Sequence, residues 1–195
     1  MYAKKRSGVP TPVLCDDTGI LLSKLTGGSL ADAAIEGRLF MASNQAAVTT
    51  CTTKNNTFTG LAIVNPTGSG KLFVMHEFSY ALLDSSSGDT NLSLLVGPSA
   101  GFTAVITPRC ARWGHAASVA LVNDSATITG TSGIIVKHIA TIGTNATADL
   151  LVPCGTQDLG GSIVLPGGYA CYTDTTLATG AGTIFFGFVW EEIDA

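Results

Sequence analysis

The feature that most constrains this chain is its rhythm. From Arg38 onward, short runs rich in Val, Thr, Ile and Phe alternate with clusters of Gly, Ser, Asn, Asp and Pro. β-Branched and aromatic residues fit the pleated surface of a strand, and the punctuating residues supply turns. Read this way, strands fall at 47–53, 58–64, 71–83, 92–96, 102–106, 118–122, 134–142, 150–152, 162–165, 169–173 and 183–191. Many short strands with frequent turns predict an all-β fold, an antiparallel jelly-roll-like sandwich or barrel. The one helix-like signal is 29–37, where Ser29 can cap, Asp32 sits in the first turn and Gly37 ends the run.

Two strands carry the sharpest patterns. In the last, Ile184, Phe186, Phe188 and Trp190 alternate on one face, the period-2 signature of a core-facing surface. In 71–83, strict alternation puts Leu72, Val74, His76, Phe78, Tyr80 and Leu82 on one face, and Phe73, Met75, Glu77, Ser79, Ala81 and Leu83 on the other. Both faces are largely apolar, so this strand is expected to be covered on both sides. A neighbouring subunit or an arm can be the second cover, which makes Val74, Phe78 and Tyr80 candidates for a subunit interface.

Residues 1–28 read as an extended N-terminal arm and 29–195 as a single β domain. The arm holds Lys4, Lys5 and Arg6, two prolines that disfavour helix, the turn signal Asp16-Asp17-Thr18-Gly19, and Gly27-Gly28. Its Ile20-Leu21-Leu22 calls for burial. No long apolar run follows the basic start, because Val9-Pro10-Thr11-Pro12 intervenes, so the segment does not have the pattern of a secretory signal.

Charge supports the same picture. Only 12% of the residues are charged, about half of the roughly 25% usual in globular chains. A surface built from hydroxyl and amide groups has little charge to keep copies apart, so self-association is the expectation and a Thr- and Ser-coated monomer the alternative. The net charge is −4 and the only cationic cluster is the one in the arm, which argues against nucleic-acid binding by the domain body. No apolar run approaches the roughly 18 residues of a membrane helix. The five cysteines, Cys15, Cys51, Cys110, Cys154 and Cys171, are scattered and odd in number, with no CxxC. They read as free thiols of a protein made in a reducing cytoplasm rather than as a disulfide framework or zinc site.

Motifs that invite chemistry are incomplete. Gly68-Ser69-Gly70-Lys71 suggests a phosphate loop, but Asn65 stands where the first Gly is needed and Leu72 where a magnesium-holding hydroxyl is needed. A strand follows rather than a helix, so the helix N-terminus that would bind phosphate is missing. His76, His115 and His138 have no ligand spacing. There is no Cys–His signature. Asn-x-Ser/Thr triplets begin at Asn55, Asn91, Asn123 and Asn145, a chance outcome in a chain this rich in Ser and Thr. No enzyme activity, metal or cofactor is expected. Trp190 reads as core, whereas Trp113, in Arg109-Cys110-Ala111-Arg112-Trp113-Gly114-His115, reads as a loop residue able to touch a ligand or partner.

One stretch resembles a known family. Gly60-Leu61-Ala62-Ile63-Val64-Asn65-Pro66-Thr67-Gly68-Ser69-Gly70-Lys71 is similar to a segment of tailed-bacteriophage virion proteins, in which a strand ending in Asn-Pro is followed by Gly-Ser-Gly-Lys and another apolar strand. Ala42-Ser43-Asn44-Gln45-Ala46-Ala47-Val48-Thr49-Thr50 fits the same pattern, as do Pro166-Gly167-Gly168-Tyr169 and the final strand ending in Trp190-Glu191-Glu192. Together these cover residues 38–75 and 161–192. The resemblance implies a β-barrel or jelly-roll subunit of the virion, a capsid decoration (cement) protein forming a homotrimer, with the major capsid protein as partner and no catalytic residues to carry over. In that reading Lys4, Lys5 and Arg6 contact acidic patches of the capsid. The runner-up is a tail or fibre-tip receptor-binding module that takes carbohydrate through Trp113.

Overall fold

The computed structural model describes residues 2–4, 10–12, 29–46, 57–83, 90–99, 105–115, 117–127, 133–142, 154–175 and 183–195. The chain forms two compact units, Met1–Asp32 and Ala33–Ala195. In the first, β1 (Tyr2–Lys4) and β2 (Pro10–Pro12) pair antiparallel, with Tyr2 opposite Pro12. The sequence candidates at 47–53 and 150–152 lie outside the described residues.

α1 (Ser29–Ile35) is a single short helix. It ends where Arg38 N–H reaches the Ala33 carbonyl and Gly37 N–H reaches Ala34, the paired bonds of a Schellman cap. Gly37 takes φ +73°, and the His115 ring lies where a Cβ would stand, so both conformation and space demand glycine.

Among the described residues, the second unit holds ten strands: β3 (Leu39–Ser43), β4 (Thr57–Asn65), β5 (Lys71–Leu82), β6 (Thr90–Pro98), β7 (Arg109–Cys110), β8 (Leu121–Thr127), β9 (Ile134–Ile142), β10 (Cys154–Leu165), β11 (Tyr169–Thr175) and β12 (Ile184–Asp194). They form two five-stranded sheets, ordered β10-β5-β12-β3-β7 and β8-β4-β11-β6-β9. Every pairing is antiparallel. The chain crosses repeatedly between sheets, giving β3-β12-β5-β10 facing β4-β11-β6-β9, the jelly-roll order of two interleaved Greek keys. β7 and β8 extend one edge of each sheet.

The sandwich core lies between the sheets. Phe40, Phe73, Met75, Phe78, Phe186, Phe188 and Trp190 from the β12 sheet meet Leu61, Ile63, Leu92, Leu94, Val122 and Cys171 from the β11 sheet. The alternation expected for the last strand is observed, with Ile184, Phe186, Phe188 and Trp190 all buried. Phe78 packs at ring-centroid distances of 5.0 Å from Phe188 and 5.9 Å from Phe186.

β5 departs from its expected pattern. Opposite β12, Glu77 pairs with Val189 but Met75 pairs with Trp190, so His76 is an extra residue in a bulge. A bulge shifts the side-chain parity of all that follows. Phe73 and Met75 face inward before it, and Phe78 and Leu82 face inward after it. The strand therefore looks apolar on both faces in strict alternation, whereas its outward residues are half-buried. The sheet buried on both faces is the other one: Ala62, Val64, Leu95, Ala170 and Tyr172 form a second apolar cluster on the far side of the β11 sheet.

Other boundaries also moved. Within 102–106, Ile106 forms only an isolated bridge to Val122 and 102–104 are outside the described residues. β8 begins at Leu121 rather than Ser118. The first half of β10, Cys154 to Gly161, is a strand that the sequence pattern missed.

Candidate functional site

Buried polar groups first separate scaffold from site. Asn65 is fully buried at the end of β4. Its Nδ2 donates to the carbonyls of Lys71 (2.8 Å) and Leu165 (2.9 Å), and its Oδ1 accepts from Ser69 Oγ (2.6 Å). Its own carbonyl accepts from Gly168 N–H. One side chain thus ties the 66–70 turn to the 166–168 turn, and the Asn-Pro-Thr-Gly-Ser-Gly segment acts as a structural clasp. Asn44 does similar work at the other end of β12, donating to the Ile184 carbonyl and accepting from Phe186 N–H. Glu192 accepts from Ser118 Oγ, Val119 N–H and Trp190 Nε1.

Among the described residues, the outward face of the β12 sheet carries a concave feature. Cross-strand register defines its rows. Asp158, Glu77, Val189 and Met41 form one row, with Arg109 beyond Met41. The next row is Thr156, Ser79, Gly187 and Ser43, followed by Cys154, Ala81 and Phe185. The middle row carries only small side chains. At Gly187 a Cβ would stand 2.6 Å from Ser79 Oγ, so a larger residue there would push the Ser79 hydroxyl aside.

The result is a furrow across the strands. A cleft of about 640 Å³ lies toward β3 and β7, lined by residues that include Met41, Ser43, Val105, Arg109, Trp113 and Val189. A second of about 360 Å³ lies toward β10. Both share Ser43, Ser79 and Gly187. Trp113 stands at the lip with 83% of its surface exposed.

A charged network occupies another part of the same face. Glu191 pairs with Arg38, which also pairs with Glu36, and Glu191 Oε2 lies 3.3 Å from His76 Nε2. Burial lowers the His76 pKa, partly offset by the negative charge of Asp158. His138 Nδ1 lies 2.9 Å from Asn91 Nδ2 and from Ser93 Oγ, so it is held by β6 neighbours. The three histidines are not brought together, and among the described residues no group of His, Cys, Asp and Glu is arranged to hold a metal. No helix among the described residues is long and apolar enough to cross a membrane.

The expected site residues scatter. Lys4 is on β1, whereas Lys5 and Arg6 lie outside the described residues. Of the three interface candidates, Phe78 is corrected outright: it is fully buried in the chain's own core and has no surface for a partner. Tyr80 stacks on Phe78 and packs against the same core, half-buried. Only Val74 faces outward, opposite Val164 and Glu191. The cause is again the bulge at His76, which turns Phe78 and Tyr80 to the inward face. Trp113 sits in the exposed loop expected of it. The furrow floor was invisible in the sequence, since Ser79 and Gly187 meet only through strand register.

Compared with known proteins, the chain matches no family model, no curated protein and no solved structure.

Proposed function

We propose that this protein is a structural subunit of a bacteriophage virion, a capsid decoration protein that self-associates and fastens onto the shell. The observation that carries the reading is β9. Among the described residues it is an edge strand, nine residues long, and it exposes Ile134 (76%), Ile135 and Val136 (48%). An exposed apolar edge is an association surface unless a protein guards it, commonly with lysine. Here Lys137 is turned aside, its Nζ donating to the Asp158 carbonyl on β10. Register shifts against β6 place bulges at Val136 and Ile139, so the edge is poorly shaped for backbone pairing. Its contacts with a partner are made by apolar side chains.

Two further points support the reading. Two of the segments that resemble virion proteins meet at one clasp, with Asn65 joining the 66–70 turn to Leu165 and Gly168. Jelly-roll sandwiches also recur in viral capsid domains, which is an analogy of fold and not of site. The homotrimer and the capsid contact through Lys4, Lys5 and Arg6 belong to this proposal.

The test is to mix the purified protein with shells that lack it and image them at subnanometre resolution. Symmetric occupancy of the shell is expected. Removing residues 1–28 should abolish attachment, and Ile134→Lys with Val136→Lys should lower the oligomer mass measured by light scattering. A protein that stays monomeric at every concentration and leaves shells bare would end the proposal.

A further inference from the structure

We propose that the furrow on the β12 sheet binds an acidic oligosaccharide. It stands apart from the assembly reading, because the furrow and β9 belong to different sheets.

The shape comes first. The larger cleft, about 640 Å³, falls within the roughly 300–1,000 Å³ of small-molecule sites. It continues through Ser43, Ser79 and Gly187 into the second cleft, so the furrow crosses four strands, β3, β12, β5 and β10. Three inter-strand spacings of about 4.8 Å give it a length of roughly 14 Å, enough for a short chain of sugar rings rather than a single one.

The chemistry selects the occupant. A bound peptide strand needs unpaired backbone donors and acceptors. β12 and β5 are each paired on both sides along the furrow, and β3 is paired with β12 throughout and with β7 at Phe40 and Met41, so the middle of the floor offers hydroxyls instead: Thr156, Ser79 and Ser43. These exchange hydrogen bonds with sugar hydroxyls, which both donate and accept. At the lip, the Trp113 indole presents an electron-rich face to water. Such a face attracts the partly positive C–H groups of a pyranose ring and removes apolar surface from water on contact.

Charge gives the last element. Among the described residues, Arg109 is the one charged residue lining the larger cleft, is exposed, and has no acidic partner. A guanidinium pairs with a carboxylate through two parallel hydrogen bonds. A sugar bearing a carboxylate can therefore place that group on Arg109 while its ring lies on Trp113. Asp158 and Glu77 sit one row away, toward the β10 side, and disfavour a carboxylate at that end. This fixes the direction of the chain along the furrow.

The experiment titrates the full-length protein with sialyllactose and a galacturonate trimer, with lactose and maltotriose as neutral counterparts, read by calorimetry and tryptophan emission. Trp190 is fully buried and acts as the unchanging reporter, while Trp113 responds. The acidic probes should bind at least about tenfold tighter than the neutral ones, the effect of one charge-assisted pair. Trp113→Ala should abolish binding, Trp113→Phe should retain part of it, and Arg109→Gln should erase the preference for acidic probes. Ser43→Tyr, at an exposed floor position, should block the furrow without touching the core. The inference is overturned if no probe binds, if neutral probes bind equally well, or if Trp113→Ala binds undiminished.

Discussion

Replacing Asn65 by Ala tests whether the clasp at one end of the sandwich is a principal fastening of the fold. The side chain is fully buried and makes three hydrogen bonds, two donated and one accepted. Removing it leaves the Lys71 and Leu165 carbonyls without that donor and deprives Ser69 Oγ of its acceptor. Ser69 Oγ still accepts from Lys71 N–H, so the hydroxyl is not stranded. At about 1 kcal/mol for each bond lost, the cost is about 3 kcal/mol. For a chain of this size that corresponds to a fall in Tm of roughly 6–12 °C. Asn65→Asp sharpens the test. It keeps the shape but aims a carboxylate oxygen at two carbonyl oxygens in a buried site, so it should cost more than Ala. Urea denaturation and calorimetry at one fixed protein concentration provide the measurement. A Tm loss under about 2 °C for Ala, or an Asp variant milder than Ala, refutes the clasp.

Three further outcomes follow from the geometry. Phe78→Ala should destabilise by about 3–5 kcal/mol in urea, while Val74→Ala should cost under about 1.5 kcal/mol, because the first empties core space and the second trims a half-exposed face. His76 has a pKa lowered by burial, against about 6.5 unfolded. Between those two values the unfolded state binds more protons, so this contribution to stability is present above about pH 6.5 and fades as pH falls toward the native pKa. His76→Asn should therefore show a flatter dependence of urea midpoint on pH between about 7.5 and 5 than the wild type does. Burial pushes the Cys171 thiol up to about 12, while Cys154 is exposed. Peptide mapping after brief alkylation should find Cys154 modified and Cys171 untouched until the protein is unfolded.

The parts of this fold that were legible in the sequence depended on uninterrupted local pattern. Ile184, Phe186, Phe188 and Trp190 alternate without a break, and their strand faces the core as period 2 requires. The same rule failed on β5 because the extra residue at His76 leaves no mark in composition, yet it reverses every face assignment after it. The first half of β10 was missed for a different reason. Cys154-Gly155-Thr156-Gln157-Asp158 is polar and glycine-containing, as suits an edge strand with one neighbour, and strand propensity looks for apolar runs. Trp113 was legible as a loop aromatic. The floor beneath it was not, because Ser43, Ser79 and Gly187 come from three strands far apart in the chain and adjacent only by register.

The place of β12 in its sheet bears on how the molecule comes into being. Of the described strands β12 comes last in sequence, yet it lies between β5 and β3, pairing with both. Until it has emerged from the ribosome, β3 and β5 lack their common neighbour, and the aromatic rings of Phe40, Phe73 and Phe78 lack Trp190, Phe186 and Phe188. Contacts between such distant segments form slowly, since the intervening chain must be ordered before they can reward it. The β12 sheet is therefore expected to stay incomplete until β12 has been made, and a chain stopped before Ile184 should expose its aromatic interior to chaperones and proteases.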